Sequence, residues 1–391
     1  MNSNVVQTTS MTEPSKDVRL ENIRRDLSRD VWCVLGLPFD ATTEAATCEH
    51  LLHCIETRQK CFFTTPNLNF AITASRDEAF RQSVIDSDWV VADGMPLIWV
   101  AKKLGIPLTE RVAGSSVFEA LRQGYARQQK KLRVVFFGGP DGVAAEAFKK
   151  IATEDSAMEV VGFYSPGFGS VEEMSPQDVI DQINESEADM VVVALGAKRG
   201  QAWIDYNQDR LNAPVLTHLG AVVNFVAGTV ARAPLWMQKS GLEWVWRIWE
   251  ERSLLQRYWS DGRSFLRLYL SAVRPYSRLV DNHQPVTDTR ETNTSSISGN
   301  VATLMLSGTY VRENLQPLRA TTIDLVNQGC SLLLDCSEVY YIDAAFLGLM
   351  LMAKKHLHSA GLSIRLVSPS ATVRRVLELN RLDEQLNALR V

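Results

Sequence analysis

The sequence lacks several features that would each point to a particular class of protein. None of its apolar runs approaches the ~20 residues that a membrane-spanning helix needs, and no basic segment followed by an apolar core stands at its start. The six cysteines, at positions 33, 48, 54, 61, 330 and 336, include no Cys-x-x-Cys pair, which favours buried free thiols over a metal or disulfide framework. The net charge of −4 argues against a nucleic-acid partner. Together these absences predict a cytoplasmic protein.

Sequence fingerprints of dinucleotide and metal–nucleotide binding are also missing. The first predicted strand and turn, 31–40, carry no Gly-x-Gly-x-x-Gly, which argues against a dinucleotide-dependent epimerase or dehydrogenase. Residues 86–88 read Asp-Ser-Asp, the form of a metal–nucleotide motif, but they precede a strand, so we predict a solvated turn. The strand over 132–137 runs into Gly138 and Gly139, a glycine turn that can cradle a nucleotide although no Walker lysine follows it.

Length and composition are those of a soluble globular protein with two or three domains. Of the 391 residues, 46% are hydrophobic and 22% are charged. Predicted strands and helices alternate from residue 30 to residue 230, which is typical of a mostly parallel, Rossmann-like α/β sheet with helices on both faces. We predict a disordered tail (1–27), a Rossmann-like domain (28–231), a helical appendage (232–274), a linker (275–298) and a small α/β domain (299–391).

Polar side chains follow two of the predicted strands. Thr65 and Asn67 come directly after the strand over 61–64, and Asp93 follows the strand over 88–92. Because ligands of open α/β sheets sit outside the carboxyl ends of the strands, we expect these three side chains to converge at one rim. A carboxylate among short polar groups is suited to act as a general base. The structural alternative is that Asp93 belongs to an Asp-Gly turn and Asn67 is a helix cap.

Two predicted helices begin close to this rim. The helix over 95–104 starts just after Asp93, and its N-terminal amides can bind a phosphate or sugar oxygen. The helix over 117–128 follows Arg111, whose planar guanidinium can bind two oxygens of a diphosphate at once. An ordinary surface arginine is the alternative interpretation.

The segment 232–274 has an unusual composition. It holds five of the nine tryptophans, and its eight basic and four acidic residues give a net charge of +4. Tryptophan and arginine on helices suit a membrane interface, where aromatic rings lie at headgroup depth and cations meet anionic lipid. We therefore expect this segment to contact an anionic membrane surface and to hold the protein at the inner face of the cell membrane. A packed helix pair with a solvated basic face is the alternative.

Several short blocks, found in one order along the chain, carry a family resemblance. Thr65-Pro66-Asn67, Asp93-Gly94, Arg111-Val112-Ala113-Gly114 and a later block from Gly228 to Tyr258 resemble the TagA/WecG/CpsF glycosyltransferases, glycosyltransferase family 26. The resemblance implies an inverting enzyme of bacterial cell-surface or exopolysaccharide synthesis. Such an enzyme moves an N-acetylhexosamine (N-acetylmannosamine or its uronic acid) from a UDP-sugar to a polyprenyl-diphosphate-linked saccharide. The appendage would close over the site and contact the lipid-linked acceptor.

The same resemblance implies roles for the candidate residues. Asp93 would take the proton from the acceptor hydroxyl, and Thr65 and Asn67 would position the sugars. No metal or other cofactor is expected, because arginines and helix amides can carry the charge of the diphosphate. The predicted substrate-binding residues are Arg111, Gly138, Gly139, Gln201, Arg232, Arg247 and Arg257.

The chain departs from the family pattern within residues 196–203. Relatives typically read Gly-x-Pro-Lys-Gln-Glu-x-Trp, and aligning Gly196 and Trp203 puts Gly200 in place of their Gln and Gln201 in place of their Glu. That Gln is thought to help hold substrate, and Gln201 can substitute for it if the loop shifts by one residue. The departure favours a second hypothesis, in which the transferase fold is an inactive scaffold that acts through the C-terminal domain.

The C-terminal region resembles a STAS domain, the fold of anti-sigma-factor antagonists. Leu334-Asp335, Ile342-Asp343 and the run from Val373 to Leu382 carry this resemblance, which covers about residues 299–391. STAS domains that act as phosphoswitches usually read Asp-Ser-Ser-Gly or Asp-Ser-Thr-Gly, whereas this chain has alanine at positions 344 and 345. Since alanine has no hydroxyl to phosphorylate, we expect a fixed module for docking a protein partner or for self-association.

Overall fold

A computed structural model of the chain describes residues 16–139, 157–167, 169–220, 222, 233–234, 236–237, 243–250, 252, 254–282 and 294–386. Within these residues lie a two-stranded hairpin, a six-stranded sheet and a four-stranded sheet. The six-stranded sheet and the four-stranded sheet belong to two α/β units, as the sequence predicts.

The described N-terminal segment is structured rather than disordered. Helix α1 leads into an antiparallel hairpin of strands β1 and β2. The predicted tail is therefore wrong for residues 16–27, because Ile23 and Leu27 are buried in a core that α1 shares with the C-terminal domain. Residues 1–15 lie outside the described part. The bounds are Lys16–Ser28 for α1, Val31–Val34 for β1 and Leu37–Asp40 for β2.

The central sheet has the strand order β4-β3-β8-β7-β5-β6, and all neighbouring strands are parallel. The prediction of a mostly parallel, Rossmann-like sheet is confirmed. The strands are β3 Cys61–Thr64, β4 Trp89–Val90, β5 Leu132–Gly138, β6 Met158–Tyr164, β7 Met190–Ala194 and β8 Val215–His218. The helices are α2 Glu44–Glu56, α3 Leu68–Ala74, α4 Glu78–Ile85, α5 Met95–Lys103, α6 Gly114–Arg127, α7 Gln177–Glu185 and α8 Ala197–Asn207.

Both faces of the central sheet are buried under helices. Successive side chains of a strand point to opposite faces, and β5 shows the consequence. Val134 and Phe136 lie in one core with side chains of α2 and α6, whereas Val135 and Phe137 lie in another core with side chains of α7 and α8. Full burial of each such side chain contributes about 1.5–3 kcal/mol, so the continuous apolar runs of these strands specify a two-sided sheet.

Helices also form much of the described appendage, and they continue into the predicted linker. Helix α11 extends to Asn282, and its Tyr276 is buried in the core. Strand β9 already begins at Thr294, where it pairs with β10. The predicted linker 275–298 is therefore too long at both ends, and the residues between α11 and β9 lie outside the described part. The helices are α9 Glu243–Glu250, α10 Leu254–Leu268, a π-helical turn Tyr269–Val273 and α11 Arg274–Asn282.

The C-terminal domain is a four-stranded sheet with helices, consistent with a STAS domain. Its strand order is β12-β11-β10-β9, with β9 antiparallel at one edge and the other pairs parallel. The strands are β9 Thr294–Ser298, β10 Val301–Tyr310, β11 Ser331–Ile342 and β12 Ile364–Val367. The helices are α12 Gln316–Asn327, α13 Ala344–Ser359 and α14 Ala371–Leu379.

The C-terminal domain and the N-terminal hairpin share one hydrophobic core. Helix α13 lies so close to β1 that a Cβ added to Gly348 would stand 2.0 Å from the carbonyl oxygen of Val31. Ala344 and Ala345, at the start of α13, are only 4% and 3% exposed. The chain's own N-terminal region therefore covers this STAS helix.

Candidate active site

Backbone hydrogen bonds align the segments that follow β3 and β4 with the segment that precedes α6. Four predicted residues consequently lie on neighbouring backbone segments at the carboxyl edge of the central sheet: Thr65, Asn67, Asp93 and Arg111. The structure brings these four predicted residues together. The bonds run from Val91 N to Thr64 O (3.1 Å), from Asp93 N to Pro66 O (2.9 Å) and from Val112 N to Ala92 O (3.0 Å).

Thr65 and Asn67 each have a local structural role at this rim. Asn67 Oδ1 accepts hydrogen bonds from two backbone amides at the start of α3 (3.0 and 3.3 Å), so Asn67 is an N-cap as well as a rim residue. Thr65 is 7% exposed and lies against the start of α6. A Cβ on Gly114 would stand 3.3 Å from Thr65 Oγ1 and 2.2 Å from Leu219 Cδ2, so glycine at 114 allows this close approach.

Asp93 stands half-buried at the end of the β4 segment, directly before helix α5. Gly94 follows it with φ = 133°, a conformation that side chains rarely adopt, and α5 begins at the next residue without a side-chain cap on Gly94. Met95 N, the first amide of α5, lies beside Asp93 and is suited to an anionic or sugar oxygen. Pro96 has no N–H, and Leu97 N donates to Gly94 O at 3.2 Å, so the helix start offers fewer amides than the sequence predicts.

Arg111 is bound to the appendage. Its Nη1 donates to Glu243 Oε2 at 2.7 Å, and the side chains of Arg111 and Glu243 are 16% and 15% exposed. Burial alone would lower the pKa of Arg111, but the carboxylates of Asp93 and Glu243 outweigh it and raise that pKa above its ordinary value. Arg111 is thus a permanent cation near Asp93, already paired with an anion. Sequence analysis did not single out Glu243, although it lies inside the second family block.

The departure from the family pattern has a structural explanation. Gln201 is fully buried, and its Oε1 accepts a 2.9 Å hydrogen bond from Thr64 Oγ1, so it supports the end of β3 from beneath the rim. A Cβ on Gly200 would stand 2.3 Å from His218 Cδ2. The imidazole of His218 therefore occupies the space that a side chain at 200 would need. Among the described residues its Nε2 is buried without a hydrogen-bond partner.

The other predicted substrate-binding residues are described in part. Gly138 and Gly139 form a left-handed turn at the end of β5, with φ of 89° and 102°. A Cβ on Gly138 would stand 2.7 Å from the Leu195 side chain. The residues that follow this turn, 140–156, and Arg232 lie outside the described part, as do the side chains of Arg247 and Arg257.

Asp88 is held by protein groups, so the prediction of a solvated turn over 86–88 is wrong there. Its Oδ2 accepts a 2.8 Å hydrogen bond from Phe62 N, and its Oδ1 lies 2.5 Å from Lys355 Nζ of the STAS helix α13. The motif does precede β4, as predicted, and therefore lies away from the carboxyl edge. The strand's start is thus fixed by a side chain from the C-terminal domain.

One group of His and Cys side chains among the described residues has ligand atoms within 4.8 Å of one another: His50, Cys54 and Cys61. Cys61 is the first residue of β3, whereas Thr64 is its last. The group therefore lies at the opposite edge of the sheet from Asp93 and takes no part in the geometry of the rim.

A parallel α/β sheet with a carboxylate, an arginine and a glycine turn at its carboxyl edge has the architecture of Rossmann-type enzymes. Comparison with protein families makes this specific. The model of the glycosyl transferase WecG/TagA/CpsF family matches residues 32–278, and that of the Mlab, STAS domain matches residues 293–390. The chain belongs to the WecG/TagA/CpsF glycosyltransferase family, and it carries a STAS domain in its C-terminal region.

Curated relatives agree with this assignment. The chain is 28% identical over 224 residues to a protein of Bacillus spizizenii, covering 57% of this chain and 82% of the relative. It is 29% identical over 196 residues to one of Bacillus subtilis (50% and 74%) and 24% identical over 217 residues to one of Staphylococcus aureus (55% and 82%). All three are named N-acetylglucosaminyldiphosphoundecaprenol N-acetyl-beta-D-mannosaminyltransferase. No helix among the described residues is both long and apolar enough to cross a membrane.

Proposed function

We propose that this glycosyltransferase moves an N-acetylhexosamine, N-acetylmannosamine or its uronic acid, from a UDP-sugar to a polyprenyl-diphosphate-linked saccharide, with inversion at the anomeric carbon. The observation that carries the proposal is the placement of Asp93 beside Arg111 at the carboxyl edge of the sheet. The names of the relatives, which specify a mannosaminyl group and a diphosphoundecaprenol acceptor, support the substrate class.

In this mechanism Asp93 accepts the proton of the acceptor hydroxyl as that oxygen attacks the anomeric carbon. The bond from the anomeric carbon to the donor diphosphate breaks, and the UDP that leaves carries the negative charge. Arg111 and the amide of Met95 stabilise this charge. They are assisted by Arg232, Arg247 and Arg257. Thr65 and Asn67 position the sugars. With the charge carried by cations and amides, the transfer proceeds without a metal ion.

The acceptor is attached to a lipid, and the appendage provides the membrane contact. Its described exposed side chains include four tryptophans and four arginines, a combination suited to the headgroup region of an anionic bilayer. The protein then acts as a peripheral protein at the inner face of the cell membrane. These side chains are Trp236, Trp244, Trp249, Trp259, Arg252, Arg263, Arg267 and Arg274.

The proposal is tested by release of UDP from a panel of UDP-sugars, with a short-chain lipid-diphosphate-GlcNAc acceptor. Wild type should release UDP only when the acceptor is present, and Asp93→Asn should lose turnover with little loss of donor binding. Asp178→Asn, at an exposed position of α7, makes the same chemical change as a control and should keep full activity. Near-normal turnover of Asp93→Asn would remove Asp93 as the base.

The alternative, an inactive scaffold that acts through the STAS domain, is favoured by Gly200, since His218 fills the space of the family's Gln. The same assay separates the two functions. A folded, vesicle-binding wild type that releases UDP from no donor would support the scaffold.

A further inference from the structure

His50, Cys54 and Cys61 form a compact group of soft ligands that the transfer reaction does not use. His50 and Cys54 are four residues apart on α2 and so share a face, and Cys61 begins β3. His50 Nε2 lies 3.6 Å from Cys54 Sγ and 3.9 Å from Cys61 Sγ. Both cysteines are buried, and His50 is half-buried.

These separations fit one tetrahedral ion. Zinc binds cysteine sulfur at about 2.3 Å and histidine nitrogen at about 2.0–2.1 Å, so the S and N atoms on two corners of its tetrahedron lie about 3.5 Å apart. The ring of His50 stacks on Trp89 with centroids 3.9 Å apart and 19° between planes, which holds Nε2 toward the two sulfurs. The ligand atoms need only small movements to close on a metal.

We propose that His50, Cys54 and Cys61 bind one Zn²⁺, with a water molecule from the solvent side of His50 as the fourth ligand. Two thiolates and an imidazole favour zinc over magnesium or calcium, which prefer oxygen ligands. The ion would link the C-terminal half of α2 to the first residue of β3. Because the last residues of β3 lie at the rim, an ion bound at its first residue would fix this strand at the end opposite the candidate active site.

The metal content of the full-length protein, purified in reducing buffer without chelator, tests this site. We expect about one zinc per chain by inductively coupled plasma mass spectrometry, and Co²⁺ replacement should give thiolate charge-transfer and tetrahedral d–d bands. Cys54→Ser, Cys61→Ser and His50→Gln should each weaken binding of added Zn²⁺ at least tenfold. Cys48→Ser, a buried cysteine of the same helix outside the group, is the matched control and should bind as wild type does.

Three results would overturn the site. The first is that the purified protein neither contains zinc nor binds added Zn²⁺. The second is that the three variants bind zinc with the same affinity as the Cys48→Ser control. The third is a Cys54–Cys61 disulfide, found by mass spectrometry in wild type under the same reducing conditions. If a serine variant fails to fold, the Co²⁺ spectrum of wild type still shows whether cysteines bind the metal, because thiolate charge transfer requires cysteine ligands.

A separate observation concerns Lys355, a buried cation of the STAS helix α13. Its Nζ lies 2.8 Å from Asp26 Oδ2 of α1 and 2.5 Å from Asp88 Oδ1, just before β4. Asp88 also holds β3 through Phe62 N. We infer that Lys355 is a positioning residue for the transfer. It fixes Asp88 directly before the start of strand β4, and Asp93 follows five residues later on the same segment.

This second inference rests on the proposed function and is tested with Lys355→Met in the UDP-release assay. We expect kcat to fall at least tenfold while KM for the donor changes less than threefold, because the base is misplaced but the donor site is retained. Lys354→Met is the control on the same helix, since Lys354 bonds to Gln385 inside the STAS domain.

Failure of the inference is distinguishable from failure of the proposed function. An inactive wild type would defeat the function, whereas an active wild type with equal kcat in Lys355→Met and Lys354→Met would overturn only the positioning role. Removing Lys355 leaves the half-buried carboxylate of Asp88 without that cation, whereas the buried carboxylate of Asp26 keeps Arg29 Nε at 3.9 Å. Lys355→Met can therefore unfold. Asp88→Asn/Lys355→Met removes one of these charges and should recover the melting temperature while kcat stays low. Recovery of kcat as well would mean that the role is structural only.

Discussion

Arg111 is held at 2.7 Å by Glu243, so an incoming diphosphate must share or replace that carboxylate. Glu243→Gln keeps the shape of the side chain and removes its charge. We expect UDP to bind about three- to tenfold tighter, a gain of about 0.7–1.4 kcal/mol, as measured by titration calorimetry. Glu119→Gln, at a carboxylate paired with Arg122 on α6, should leave UDP binding unchanged. Weaker binding in Glu243→Gln would mean that Glu243 orients Arg111 rather than competing with substrate.

His218 should make stability depend on pH in a defined window. Burial lowers the pKa of His218 from 6.5 to about 4. The imidazole therefore binds a proton below pH 6.5 in the unfolded chain but only below about pH 4 in the native protein. The native state therefore loses up to about 3 kcal/mol as pH falls from 6.5 to 4. His218→Phe, which keeps a ring beside Gly200, should lack this loss when unfolding free energies are measured by urea titration. His53→Phe, at an exposed position, should retain it.

At the scale of elements, the parallel sheet could be predicted because its strands are short apolar runs between helical patterns. The convergence of Thr65, Asn67 and Asp93 followed from a rule about carboxyl ends of strands. Arg111 joins them because Val112 N bonds to Ala92 O, a contact that the rule does not cover. Helix α1 could not be predicted in the same way. Its segment is mostly polar, and Ile23 and Leu27 become core residues only because the STAS domain, nearly 300 residues later, packs on them. Such contacts leave no local signal in the sequence.

The appendage helices α9 and α10 leave large aromatic side chains uncovered. Trp249 is 80% exposed and Trp259 is 70% exposed. We expect Trp249→Ala/Trp259→Ala to bind phosphatidylglycerol-containing vesicles at least tenfold more weakly in sedimentation assays, because interfacial tryptophans supply the apolar part of binding. Trp99→Ala, at a 54% exposed tryptophan of α5, is the control. Equal vesicle binding by the double variant and the control would contradict a membrane role for α9 and α10.

At the scale of the whole molecule, one core runs from α1 and the hairpin through α3–α5 into the STAS domain. Two domains that share a core in this way should unfold together. Differential scanning calorimetry of the full chain should therefore give one transition, with equal calorimetric and van't Hoff enthalpies. A chain truncated after Asn282 should be insoluble, since it exposes the surface that α13 covers. Two resolved transitions, or a soluble truncated transferase, would contradict this prediction.

The contact between Gly348 and Val31 offers a marker for comparative genomics. Any side chain at 348 would collide with a backbone carbonyl, which cannot move as a flexible side chain can. Among other genes that fuse these two domains, those with glycine at this helix position can encode the same docked arrangement. Those with any other residue there cannot bring this helix as close to the hairpin. Reading one codon would thus show, before any of these enzymes is expressed, whether this close contact is open to it.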